Sequence, residues 1–186
     1  MNSGVTGGDT RGFGHDLRRT PMAMKDDVLF ELLRECDVCV FLAGQLPPGA
    51  LDYRPTPKQR STLELLRYLS LCGPAFLRAM LDGNWDAYAK LEEESQHVDL
   101  AGFPAAMERQ KASIRAIFDE FTEQDLATRK VKSPTGEELT LGRALLDLPL
   151  RFLVGYRMQL FLYAKAAGNE KLGTAECWWG TPWPKE

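Results

Sequence analysis

The sequence predicts an all-α protein, a four-helix bundle with a small hairpin before its last helix. Three observations carry that expectation. Long segments repeat apolar residues at helical spacing. Prolines and glycines punctuate the gaps between them. One short stretch, RKVKSPTGEELT, has the turn chemistry of a hairpin. A chain of 186 residues is long enough for one domain with a real core, plus tails.

The first helix is expected over 26–45. Val28, Leu29, Leu32, Leu33, Cys36, Val40 and Leu42 recur near the helical period, and Pro47, Pro48 and Gly49 end it. The following LDYRPTPKQR reads as an extended connector, because a proline disfavours helix at the residue before it. The second helix opens at Ser61, where STLE forms a capping box with Glu64 at the third helical position. Its stripe is Leu65, Tyr68, Leu69, Cys72, Phe76 and Met80. Gly73-Pro74 is expected to kink it, and Gly83 to stop it.

NWDAYAKLEEES suits a short surface helix and QHVDLAG a loop. The third long helix is expected over 104–121, with Pro104 in its first turn and Met107, Ile114, Ile117, Phe118 and Phe121 on its core face. After the hairpin, the fourth is expected over 141–167, bent at Pro149 and stopped at Gly168. Such helices, with no other strand candidate, make a bundle the economical architecture. The expected organisation is a disordered extension over 1–24, the bundle over 25–170 and a Trp-rich tail over 171–186.

Bulk properties exclude several functions. Apolar residues are 44% and charged residues 26%, as in ordinary globular chains. A net charge of -3 argues against a general grip on nucleic acid, which needs a basic face. No apolar run approaches the ~18 residues of a membrane span. The first residues lack the apolar core of a signal peptide, so a cytoplasmic location is the expectation. Cys36 and Cys39 form a C-x-x-C pair, but inside a helix pattern, with no second pair and no strand leading in. They read as buried thiols rather than a redox or zinc motif. No phosphate-binding glycine loop is present, and the Glu92–Glu94 run reads as a solvated face.

LPPGALDYRPTPKQRSTLELLRYLSL resembles the first connector and second helix of the DinB-like superfamily: a leucine-proline helix end, an arginine-proline connector and a capping serine. PLRFLVGYRMQLFLYAKAAG resembles that family's last helix, including Arg157, Gln159 and the terminal Gly168, and the preceding hairpin fits too. The resemblance covers about residues 25–170. Metal-binding members carry one histidine seven residues after the capping serine and two more, four apart, on the last helix. Those positions are Tyr68, Phe152 and Tyr156 here.

The resemblance therefore implies a degenerate site. Phe152 and Tyr156, four apart, share a helix face. Phenylalanine cannot coordinate a metal, and a phenol holds its proton to about pH 10. The histidines of the chain, His15 in the extension and His97 in a loop, cannot rebuild a three-imidazole site. No metal and no cofactor are expected. The stripe Phe152, Tyr156, Gln159, Tyr163 stays near one line down the helix, with Tyr68 facing it in a DinB-like bundle. It is either an aromatic core filling the metal's volume or a small-molecule pocket.

The leading expectation is a metal-free small-molecule-binding or pseudo-enzyme module with Tyr68, Phe152, Tyr156, Gln159 and Tyr163 as its site. The runner-up is a thiol-dependent transferase or isomerase of the DinB-like type with unidentified metal ligands. A third reading is an interaction protein working through AECWWGTPWPKE, where Trp178, Trp179 and Trp183 cluster. That tail either caps the bundle or forms an interface. The resemblance also implies a homodimer.

Overall fold

The computed structural model describes residues 24–182. The disorder expected of the N-terminal extension, His15 and Trp183 fall outside them. Helix α1 (Met24–Ala43) is followed by a single 3-10 turn, Ala50–Asp52. Helices α2 (Thr62–Leu69), α3 (Cys72–Asp82), α4 (Asp86–Ser95), α5 (Phe103–Phe118) and α6 (Glu123–Thr128) come next. A hairpin, β1 (Lys130–Lys132) and β2 (Glu138–Thr140), leads into α7 (Leu141–Leu145), a π turn (Leu146–Leu150), α8 (Arg151–Ala166) and α9 (Thr174–Trp179).

Helix α1 packs on α5 and α8, α3 completes the ring against α5, and α2 packs on α8. Fully buried Leu32, Leu42, Leu65, Leu69, Met107, Phe118, Leu153 and Leu160 fill the centre of the bundle. No helix among the described residues is long and apolar enough to cross a membrane.

The second helix is broken where a kink was expected. Helix α2 ends at Leu69 and α3 begins at Cys72, so Gly73 and Pro74 lie in the first turn of α3 rather than mid-helix. There the amide that proline lacks would have had no helical partner anyway. The break also removes the bond between the Gly73 amide and the Leu69 carbonyl. Gln110 of α5, buried, takes its place: the Gly73 N–H donates to Gln110 Oε1 at 3.0 Å, and Gln110 Nε2 donates to the Leu69 carbonyl at 3.0 Å.

Other boundaries follow local chemistry. The capping box at Ser61 is formed both ways, with Glu64 N–H on Ser61 Oγ at 3.2 Å and Ser61 N–H on Glu64 Oε2 at 2.6 Å. Gly83, at φ +69°, stops α3 in the left-handed region open to glycine. The third long helix is shorter than expected, ending at Phe118, and α6 is additional. A second capping box, Thr122 with Asp125, starts α6, and this threonine-to-aspartate spacing was legible in the sequence. In the hairpin Lys130, Val131 and Lys132 pair with Thr140, Leu139 and Glu138. The last long helix widens to a π turn at Pro149, where the Arg151 N–H reaches the Leu146 carbonyl. The wider turn accommodates a ring that would crowd a regular one.

Candidate functional site

The Ser61 cap sets the phase of α2, and Tyr68 lies two turns on, where α2 meets α8. The π turn sets the phase of α8 and brings Phe152 and Tyr156 towards α2 and α3. The rings of Tyr68 and Tyr156 meet edge to face, with centroids 4.7 Å apart. Phe152 lies 6.0 Å from Tyr156 and 4.6 Å from Phe76 of α3. Phe76 continues the cluster to Trp85 and Tyr88. Sequence reasoning did not single out those two as site residues. The signal was their three-residue spacing at the start of α4.

Gln159 and Tyr163 belong to a second group. Tyr163 packs edge to face on Tyr53 with centroids 5.3 Å apart, and its hydroxyl donates to the Arg60 carbonyl at 3.1 Å while accepting from Gln159 Nε2. Among the described residues no ring contact joins this group to the Tyr68 group.

Arg60 links the two groups, and sequence reasoning passed it over as part of the connector. Its guanidinium lies 3.9 Å from the Tyr68 ring centroid and 5.7 Å from that of Tyr156. The signal available was a cation immediately before the capping serine. Beside it opens a cavity of about 390 Å³, lined by the 54–60 connector, the outer face of α2 and the end of α4. Tyr68 lines that cavity. Phe152, Tyr156, Gln159 and Tyr163 are not among its walls.

These residues do not fit a divalent metal. Burial is the main force pushing the Tyr68 hydroxyl well above the ordinary phenol range, with help from neighbouring Cys72 and Tyr156, so it stays protonated. Phe152 offers no donor, and Arg60 already places a positive charge against two of the three positions. Among the described residues no group of three or more His, Cys, Asp or Glu side chains is arranged to hold a metal ion. His97 is exposed. All four cysteines are buried free thiols, Cys36 and Cys39 within α1. Burial pushes the Cys36 thiol up to about 12.

No family model matches the chain. The chain is similar to the uncharacterized protein YjoA of Bacillus subtilis (strain 168), 24% identical over 152 residues that span 81% of this chain and 96% of the relative. The crystal structure of a DinB-like protein, YjoA from Bacillus subtilis, matches with a TM-score of 0.60 at 22% identity, over 80% of this chain and 96% of that one.

The fold is DinB-like.

Helices α2 and α8 pack together, as the aromatic stripe requires. At this identity the match speaks for the fold alone. The chemistry of the site rests on the residues above.

Proposed function

We propose that this DinB-like chain is a metal-free small-molecule-binding module. One observation carries the reading: the Arg60 guanidinium, stacked 3.9 Å from the Tyr68 ring, stands beside a cavity of about 390 Å³ on the outer face of α2. The cavity's volume falls in the roughly 300–1,000 Å³ range of small-molecule sites, and its lining is mostly charged and polar, with Tyr68, Pro57 and Leu71 as the apolar part. Tyr68 lines that space, Tyr156 and Phe152 pack in turn behind its ring, and Gln159 and Tyr163 hold the Arg60 backbone in register. Of the candidate residues Tyr68 is the one that faces a ligand, and the others support it.

Two measurements test the reading together. Elemental analysis of tag-free protein is expected to find far less than one equivalent of zinc, nickel, iron or manganese. A thermal-shift screen of small molecules is expected to give hits that Tyr68→Ala weakens. About one equivalent of tightly held metal would overturn the reading in favour of a metal-dependent transferase or isomerase. A screen without a Tyr68-dependent hit would reduce the aromatic set to core packing.

A further inference from the structure

We propose that the cavity beside Arg60 is an oxyanion site that takes a small organic molecule by a phosphate or carboxylate group. The inference rests on the small-molecule reading above and names its ligand class. Its basis is the charge arranged around that space. Arg54, Lys58, Arg60 and Arg67 line the cavity, against the carboxylates Glu64 and Glu92. Positive groups outnumber negative ones at this wall although the whole chain carries a net charge of -3, so the cluster is not a sample of the general surface.

The internal partners leave that excess in place. Glu64 is already engaged: its Oε2 accepts the Ser61 N–H at 2.6 Å and lies 3.4 Å from Arg54 Nη2. The Ser61 amide is the main cause holding its carboxyl below the usual range, so it remains charged and tied to the helix cap. Glu92, exposed on α4, opposes one further cation. Arg67, which lines the cavity, donates from Nε to the Val98 carbonyl at 3.0 Å, a bond that fixes the stem of its guanidinium. The Arg60 guanidinium carbon lies over the Tyr68 ring at 3.9 Å, and a guanidinium held against a ring can still present its N–H groups to a planar acceptor.

That combination suits a bound oxyanion. Arginine edges match phosphate and carboxylate oxygens with paired hydrogen bonds. A stem held by packing or by a backbone carbonyl loses little rotamer freedom when the anion arrives. A concave wall concentrates the positive potential. The N-terminus of α2 adds little, because the Ser61 and Glu64 amides are engaged in the capping box and the Thr62 amide donates to the Tyr53 carbonyl. Pro57 and Leu71 supply apolar wall beside the charges, which favours an organic anion over a bare inorganic ion.

The test is calorimetric titration of the full chain with inorganic pyrophosphate and, separately, with citrate, at ionic strength held constant with sodium chloride. Saturable 1:1 binding of at least one probe is expected, and the probe that binds more tightly tells phosphoryl from carboxylate chemistry. Arg60→Ala and Arg67→Ala should each weaken it by about tenfold or more, as expected for loss of a charge-assisted bond. Arg60→Lys should restore only part of the loss, because the fork is gone while the charge remains. Arg151→Ala, on an exposed side chain paired with Asp147, should change nothing. Absence of saturation with both probes would overturn the inference. So would binding that responds to Arg151→Ala as much as to Arg60→Ala. If neutral compounds bind in a Tyr68-dependent way while both anions fail, the oxyanion inference falls and the small-molecule reading stands. A stoichiometric metal in the purified chain removes the reading itself.

Discussion

Arg157 and Glu35 meet inside the bundle, Nε to Oε2 at 2.5 Å, although 122 residues separate them in the chain. The pair ties α8 to α1, and both side chains are almost wholly shielded from solvent. Arg157 also donates from Nη1 to the Cys177 carbonyl and lies 4.8 Å from the Trp178 ring centroid, which draws α9 onto the same point. Its Nη2 has no partner among the described residues.

Removing one partner should therefore be costly. Glu35→Ala leaves an uncompensated buried guanidinium and is expected to lower stability by about 3–5 kcal/mol in urea unfolding. The apolar double variant Glu35→Leu with Arg157→Met should recover most of that loss. An additive result for the two changes would count against the pair acting as a unit.

The same pair predicts a pH dependence. Burial raises the Glu35 carboxyl above its ordinary 4.5, outweighing the pull of Arg157. The folded state then holds this proton more tightly than the unfolded chain does. Its contribution is fully present below the ordinary value and is lost as pH rises through the folded one. Stability measured from pH 4.5 upward should show a falling component that Glu35→Gln removes.

Thiol reactivity gives a direct check of packing. Burial pushes Cys36 up to about 12 and Cys39 well above the usual range, so neither presents a thiolate at neutral pH. Titration with a chromogenic disulfide should be slow on the native chain. It should reach all four cysteines in denaturant. Rapid native modification of the C-x-x-C pair would mean that α1 opens.

The space around each residue predicts opposite outcomes for two glycines. A Cβ on Gly73 would sit 2.6 Å from Ile114 Cδ1, so Gly73→Ala should cost about 1–3 kcal/mol by overpacking. Gly155 has open space around it on α8, so Gly155→Ala should stabilise by about 0.5–1 kcal/mol. Gln110→Leu leaves the Gly73 amide and the Leu69 carbonyl buried without their bridge, and should cost about 2 kcal/mol or more. Thermal melts of these variants report all three.

Truncation after Leu172 tests the tail. Ala175 and Cys177 are buried, whereas Trp178 and Trp179 remain 42% and 47% exposed. Loss of the Cys177 carbonyl from Arg157 should lower stability by about 1.5–3 kcal/mol at every protein concentration. A loss that appears only on dilution would instead show that the tail joins two copies of the chain.

Much of the fold was legible because helices are written locally. The Ser61 cap, the Gly83 and Gly168 stops, the hairpin turn and the apolar stripes each depend on residues within a few positions of one another. The break at Ser70 and Leu71 was not legible in the same way. Gly73-Pro74 announces trouble, but Gln110 of a distant helix supplies the hydrogen bonds that make a clean break tolerable.

The candidate site divides along the same line. Spacing alone placed Phe152 and Tyr156 on one face, and the resemblance put Tyr68 opposite. The positions of Arg60, Trp85 and Tyr88 depend on how a connector and a short helix fold back across the bundle, and no periodicity encodes that. By itself the sequence determined the long helical segments, their order and the absence of histidine donors at the family's metal positions, because backbone propensity and side-chain chemistry act over short range. Only the tertiary structure decided that Arg60 lies on Tyr68 and that Arg157 meets Glu35, because contacts between distant residues exist only once burial of the shared core has fixed how the helices pack.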